Sequence, residues 1–391
     1  MEETERLFAC EFCRVKSYLA AEDVFRFMLP NNAGTSKDIV LFPYWRFKGM
    51  LFACAGNDIR HQFVDVSTQA VGSQSFPVSL GLRSQALKLK FVTPETVGRF
   101  LKPTQTLADI EQNFDNRFGK SLPKPVLHHA HIGETISLIY APFYIENRIH
   151  DAVLNRPIAT ARVEDFDIEK LPVENPHWRI HFISTLCPNC GWDLEGEKDS
   201  LVLLCKNCTS AWCPVGKKLK KIRFGTHPSK ESQAVYLPFW RVRPEISGLS
   251  LANYADLVQV ANIPKVVQSG WEDIGFRFWV PAFKIRPKIF LQLSKNMTLS
   301  QLHNELTEEL PKNRHHPITL SITEAIESLK INLASFIKPK TRLPDILHGI
   351  NITAKSFALV YVPFIEKHHE LIQPDLQFAI NKNIIALSDN L

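Results

Sequence analysis

The sequence predicts an α+β protein in which two related, sheet-rich halves flank a small segment that holds four cysteines. Three observations support this prediction. A strand-like phrase recurs in both halves, the four cysteines between the halves have metal-ligand spacing, and helical periodicity is confined to a few short segments. The length agrees, because 391 residues allow two or three domains at about 150 residues each.

The recurring phrase is an apolar run with a proline beside aromatic residues. It spans Leu41–Phe47 in the first half and Tyr236–Val242 in the second. Looser copies span Ile139–Ile145, Trp279–Phe283 and Val360–Ile365. Because proline removes a ladder hydrogen-bond donor, an apolar run that holds one is typical of a bent strand. The phrase therefore predicts strands rather than helices.

The prolines of this phrase also recur in the same order, which indicates an internal duplication. The matches are Pro43 with Pro238, Pro77 with Pro281, and Pro142 with Pro363. We interpret residues 1–165 as the first half, residues 183–226 as the ribbon that holds the cysteines, and residues 233–391 as the second half. An acidic segment at 164–177 and a polar segment at 225–233 predict linkers on either side of the ribbon.

Helices are expected in a few places only. Leu107–Phe118 has apolar residues at helical spacing, and we expect Leu299–Leu310 to be its counterpart in the second half. Ser321 and Glu324 form a capping-box pattern before Ala325–Ile337, which predicts a third helix. Sheets with a few packed helices fit the α+β class.

The four cysteines carry the clearest chemical signal in the chain. Cys187 and Cys190 form one CxxC pair, and after 14 intervening residues Cys205 and Cys208 form a second. Zinc prefers four tetrahedral ligands and binds thiolates at about 2.3 Å. Four cysteines leave no open coordination position, so the pattern predicts one structural Zn²⁺ ion. A redox dithiol is the alternative, but it needs one CxxC pair rather than two.

This segment resembles the zinc-ribbon family over Ser184–Phe224, through Cys-Pro-Asn-Cys-Gly, a strand, Cys-Lys-Asn-Cys and the nearby Trp212. The resemblance implies that the four cysteines are the ligands. The whole chain is also similar to uncharacterised bacterial zinc-ribbon proteins with repeated Pro-Phe-Trp phrases. Some of those are encoded beside membrane-remodelling proteins of the phage-shock and flotillin type, which implies an adaptor role.

A second metal site is an open alternative near the N-terminus. Cys10 and Cys13 form a further CxxC pair, and Cys54 with His61 would complete three thiolates and one imidazole. The competing interpretation is that these cysteines are buried free thiols, which is common for isolated cysteines.

A basic run follows the last cysteine pair. The run extends from Lys217 to Arg223 and lies near Trp212 in the sequence. A basic run near an aromatic residue predicts contact with a phosphate backbone, an anionic membrane surface or an acidic protein. The alternative is a solvated edge strand whose lysines prevent aggregation. The candidate nucleic-acid contacts are Trp212, Lys217, Lys218, Lys220, Lys221 and Arg223.

Two functions follow from these features. The first is a non-enzymatic adaptor or scaffold that binds a protein partner, and the second is a nucleic-acid-binding ribbon protein. No phosphate loop, dinucleotide fingerprint, nucleophile elbow or HExxH pattern occurs, so we expect neither an enzyme nor a small-molecule substrate. The chain starts without a secretory signal, and its apolar runs are strand-sized, which predicts a cytoplasmic protein.

Overall fold

A computed structural model describes the protein over most of its length, and strands dominate it. The described residues are 5–9, 12, 15–106, 108–110, 112, 122–162, 171–175, 180–231, 233–302, 305–376 and 378–386. The strands within them are β1 Leu7–Ala9, β2 Lys16–Ala21, β3 Phe25–Met28, β4 Ile39–Ala55, β5 Asp58–Gln69, β6 Lys90–Phe91, β7 Arg99–Phe100, β8 Val126–Ile145, β9 Arg148–Asp151, β10 Arg156–Arg162, β11 Ile180–Ser184, β12 Leu203–Cys205, β13 Ser210–Val215, β14 Lys218–Ile222, β15 Phe224–Thr226, β16 Ala234–Ser247, β17 Phe278–Pro281, β18 Asn351–Lys367, β19 Glu370–Gln373 and β20 Phe378–Asn381.

The helices lie mainly in the second half. They are α1 Arg83–Ala86, α2 Tyr254–Val260, α3 Pro287–Ser300, α4 Ile322–Glu327, α5 Leu329–Phe336, α6 Leu343–Gly349 and α7 Lys382–Ala386, with 3-10 turns at Lys340–Arg342 and Pro374–Leu376. Mostly antiparallel sheets with separate helices confirm the predicted α+β class.

Each half is built on one large sheet. The first-half sheet contains β3 to β10, and the second-half sheet contains β15 to β20. Between them, β12, β13 and β14 form the ribbon sheet. A fourth sheet, the bridging sheet, places β2 between β1 and β11. Thus the segment before the ribbon pairs with the N-terminal segment.

The two halves pair their long strands in the same register. In the first-half sheet, β4 and β8 are antiparallel with Pro43 opposite Tyr140. In the second-half sheet, β16 and β18 are antiparallel with Pro238 opposite Tyr361. A short strand runs parallel to β8 and to β18, and each long pair contains a register shift at the matching point. The two long strand pairs therefore match in backbone register, while the internal duplication itself stays a prediction.

One of the three predicted proline matches is wrong. Ala70 donates its N–H to the carbonyl of Pro43, and Ala282 donates to that of Pro238. Ala282 therefore corresponds to Ala70, and Pro281 corresponds to Gln69 instead of Pro77. The sequence match failed because Pro77 lies in the loop beyond β5, where the halves differ in length.

The observed helices agree with the predicted ones only in part. The capping box of Ser321 and Glu324 is formed and begins α4, as predicted. The single helix expected over Ala325–Ile337 is instead divided at Ser328 into α4 and α5. The helix expected over Leu299–Leu310 is wrong, because α3 ends at Ser300 and Gln301 adopts a left-handed backbone with φ of 45°. Of Leu107–Phe118, residues 108–110 and 112 are helical, and the rest lies outside the described residues.

The predicted linker over 225–233 begins too early. Gly225 and Thr226 belong to β15, which pairs with β18. A Cβ atom on Gly225 would lie 2.9 Å from the Leu306 side chain, so glycine permits this close packing. Most of the other predicted linker, 164–177, lies outside the described residues. Glu174, which is described, accepts a hydrogen bond from the Tyr140 hydroxyl at 2.8 Å.

The largest hydrophobic core joins both halves and the ribbon. Phe52 and Ile132 come from the first half, Leu204 from the ribbon, and most other members from the second half. The Phe52 and Phe290 rings are 5.7 Å apart, which places α3 against β4. The proposed limits of the two halves and the ribbon stay a prediction, because this core crosses all of them.

Candidate metal centre

Two tight turns bring the four cysteines together. At the first pair, Gly191 donates its N–H to the Cys187 carbonyl at 2.8 Å, and Cys187 donates to the Trp192 carbonyl at 2.7 Å. Gly191 has φ of 73°, a left-handed conformation that glycine adopts without strain. The second pair joins the end of β12 to the start of β13, and Thr209 has φ of 49° there.

The sulfur atoms have the spacing of a tetrahedral site. Cys187 Sγ and Cys208 Sγ are 3.5 Å apart, as are Cys190 Sγ and Cys205 Sγ. All four lie within 4.8 Å of one another. Metal–sulfur bonds of 2.3 Å at tetrahedral angles place sulfur atoms roughly 3.8 Å apart. The four cysteines can therefore hold one metal ion.

Burial of the site is asymmetric. Cys187 and Cys205 are buried, Cys208 is partly buried and Cys190 is exposed. The buried side packs on the bridging sheet, where Tyr18 contributes to the same small hydrophobic core. A metal ion here would be shielded from solvent on one side and reachable past Cys190 on the other.

Ser210 links the site to the ribbon core. Its hydroxyl oxygen accepts a hydrogen bond from Trp212 Nε1 at 2.8 Å and lies 3.0 Å from Cys208 Sγ. The hydroxyl can accept this bond from the indole and also donate its own proton to the Cys208 sulfur. Such outer hydrogen bonds orient metal ligands. The sequence patterns did not single out Ser210, and its only signal was a polar residue two positions after the last cysteine.

The surroundings of the cluster lower the pKa of one cysteine thiol and raise that of another. The Ser210 hydroxyl, and then Asn189, lower the pKa of Cys208 to about 6. Burial raises the pKa of Cys205 to about 12. Metal ions bind cysteines as thiolates, so metal binding at this cluster would release thiol protons.

The second predicted metal site is only partly described. Cys54 is buried on β4, and burial raises its pKa to about 12. His61 is exposed on β5. Cys10 and Cys13 lie outside the described residues, so this site stays a prediction. Within the described part of the chain, the four ribbon cysteines are the one group of His, Cys, Asp and Glu close enough to share a metal ion.

The predicted basic contacts divide between surface and core. Lys218, Lys220 and Lys221 lie on β14 at the edge of the ribbon sheet, and all are exposed, as are Lys217 and Arg223 beside them. Trp212 is different, since 7% of it is exposed. Its ring is held under the bridging sheet and is not open to stack on a base.

A cleft lies between the ribbon segment and the second half. Its volume is about 490 Å³, and its walls include Glu197, Lys198, Arg314, His315 and Glu366. Both acidic and basic groups line it. The cleft therefore favours neither an anion nor a cation.

Comparison of the chain with protein-family models, curated proteins and solved structures finds no match. Among the described residues, every helix is too short or too polar to cross a bilayer.

Proposed function

We propose that the protein is a non-catalytic zinc-ribbon adaptor that presents an apolar surface to a protein partner. One observation carries this proposal: six large apolar side chains are exposed on or beside the bridging sheet and the first cysteine turn. We call this group the apolar surface, and its members are Phe8, Phe12, Val15, Phe182, Leu186 and Trp192.

Strand pairing explains why part of this surface is open. Phe8 lies opposite Ser17, and Phe182 lies opposite Leu19, so both phenylalanines project from the same face of the bridging sheet. They are 46% and 65% exposed. The opposite face packs on the ribbon through Tyr18 and Ile183. Large exposed apolar groups gathered on one face are typical of protein-binding sites.

Zinc is the metal that best suits the cluster. Four thiolates in a closed tetrahedral arrangement are the donor set of structural zinc sites. The ribbon has a small core of its own, and metal binding supplies folding energy to such segments. Because the bridging sheet rests on that core, zinc would also hold the apolar surface in place.

Quantitative co-purification tests the adaptor role. When purified from the cells that naturally produce the protein, the wild type should carry a bound partner. A Phe8→Ser, Phe182→Ser double variant should lose that partner, because both changes remove apolar contact area. The matched control is Leu82→Ser with Val266→Ser, since these side chains are exposed elsewhere, at 73% and 87%. The control should retain the partner. Equal retention by both variants would contradict the role of the apolar surface.

A second function, nucleic-acid binding, is favoured by the exposed cations of β14. Among the described residues, Lys217 forms an ion pair with Glu22 at 3.3 Å, and the other four cations of the run form none. Free cations on an edge strand can contact a phosphate backbone. The burial of Trp212 restricts this function to charge, without base stacking from that ring.

A further inference from the structure

One matched position of the two halves carries opposite charge, while its neighbours carry the same charge. In the first-half sheet, Arg46 on β4 lies opposite Ser67 on β5, and Lys48 lies opposite Asp65. The Arg46 guanidinium donates to both carboxylate oxygens of Asp65 at 2.9 Å. Both side chains of this pair are largely buried. The carboxylate therefore neutralises Arg46 on this sheet face.

The second half has arginine where the first half has Asp65. The N–H groups of Ala70 and Ala282 bond to the carbonyls of the matched prolines, so β5 and β17 are in equivalent register. Counted back from these alanines, Asp65 and Arg277 occupy the same position. Arg241 on β16, opposite Trp279 on β17, corresponds to Arg46.

Three arginines consequently share one face of the second-half sheet. Arg241 and Arg243 alternate along β16 and project from the same side. Arg277 precedes β17 and comes opposite Arg243, one residue beyond the pair of Val242 and Phe278. Burial lowers the pKa of Arg277, and the charges of Arg243 and Arg241 lower it further. Among the described residues, none of the three arginines forms an ion pair with a carboxylate.

Solvent offsets only part of the repulsion between these arginines, because Arg243 is exposed but Arg241 and Arg277 are partly buried. Like charges directly opposite each other destabilise a strand pair, and arginine stays protonated instead of neutralising itself. Arg241 gains some compensation from Trp279, whose ring centre lies 5.8 Å from the guanidinium carbon. That contact supplies no negative charge. The face therefore favours an anion.

A further polar group lies beside the same indole ring. His227, on the segment after β15, is buried, and its ring lies 6.0 Å from that of Trp279. Within the described residues, His227 Nε2 has no hydrogen-bond partner. Burial, and then the charge of Arg241, lower the pKa of His227 to about 4, which keeps the ring neutral.

We propose that Arg241, Arg243 and Arg277 form a binding site for the phosphate group of a small molecule. The phosphate supplies the negative charge that the Asp65 carboxylate supplies in the first half. Guanidinium groups donate paired hydrogen bonds to phosphate oxygens. A phosphate dianion balances more of the three positive charges than a single carboxylate does, which favours phosphate over a carboxylic acid.

Isothermal titration calorimetry of the full chain with inorganic phosphate tests the site, at ionic strength held constant with sodium chloride. The wild type should bind phosphate. Arg277→Asp rebuilds the ion pair of the first half, so this variant should melt at a higher temperature without phosphate. Its affinity for phosphate should fall by a factor of about ten or more, because a charge-assisted contact is lost. Arg277→Gln should also lose affinity, without the gain in melting temperature.

Two further arms make the result specific. AMP should bind more tightly than inorganic phosphate if the ligand is a phosphate ester, and equally if it is free phosphate. A Lys220→Glu, Lys221→Glu variant changes the basic strand β14 and should keep the wild-type phosphate affinity. The proposal is overturned if the wild type binds no phosphate, if both Arg277 variants bind it as the wild type does, or if the β14 variant is the one that loses it.

Discussion

Trp45 and Trp240 occupy the same position in the two halves and make the same long-range hydrogen bond. Trp45 Nε1 donates to the carbonyl of Gln105 at 3.0 Å, and Trp240 Nε1 donates to that of Leu320 at 2.9 Å. Each acceptor immediately precedes a residue that caps a helical turn. The two tryptophans thus fix, in each half, where the chain returns to the long strand.

Trp240→Phe should destabilise the protein by about 1–3 kcal/mol. The Leu320 carbonyl is buried with the indole, and the variant leaves it without this donor. The measurement is the midpoint and slope of urea-induced unfolding. Trp45→Phe is the matched control, because Trp45 is only partly buried and water can replace its N–H. Losses of equal size in both variants would show that the two bonds do not differ in burial.

The proline phrases predicted the likeness of the halves because each one reports a local property. A proline beside aromatic residues marks the same bend in β4 and β16, and Pro43 and Pro238 indeed have matching partners. The charge difference between Asp65 and Arg277 could not be read in this way. Recognising this difference requires the register of β5 and β17, whereas the sequences around Pro77 and Pro281 suggested another alignment.

Long-range contacts account for the other failures. Apolar spacing extended the helix at Leu299–Leu310, but the Gln301 side chain bonds to both the N–H and the carbonyl of Arg277, which ends α3. Trp212 was expected at the surface, and the bridging sheet covers it. That sheet pairs β2 with β11, two strands that are far apart in the sequence. Local composition predicts neither contact. The CxxC spacing is local, and it was sufficient to predict that the four cysteines come together.

Cys205→Ser should abolish metal binding, because three thiolates and a hydroxyl no longer match the donor set of a structural zinc site. Zinc content per chain, measured by atomic emission after purification, should fall from one to near zero. Cys213→Ser is the control. Cys213 lies on β13 near the site, but it is outside the cluster, and burial raises its pKa. Full zinc content in Cys205→Ser would refute the ligand assignment.

Replacement of Lys217, Lys218, Lys220 and Lys221 by Glu tests the nucleic-acid function. If β14 contacts phosphates, wild-type affinity for a labelled oligonucleotide should fall steeply between about 50 and 200 mM salt, and the variant should not bind. Fluorescence anisotropy measures both. The Trp212 ring should matter only through stability, since it is buried. Salt-sensitive binding that survives the four changes would assign the contact to another surface.

His128 should make stability depend on pH below neutrality. Burial, followed by the charges of Lys330 and His129, lowers its pKa from 6.5 to about 4, and its Nε2 is buried without a partner among the described residues. The unfolded chain therefore binds more protons between these two pH values, so the free energy of unfolding falls as pH drops from about 6.5 to about 4. His128→Gln should flatten that slope in urea unfolding at several pH values. His369→Gln, at an exposed site, should leave it unchanged, and an unaltered slope in His128→Gln would place the titrating group elsewhere.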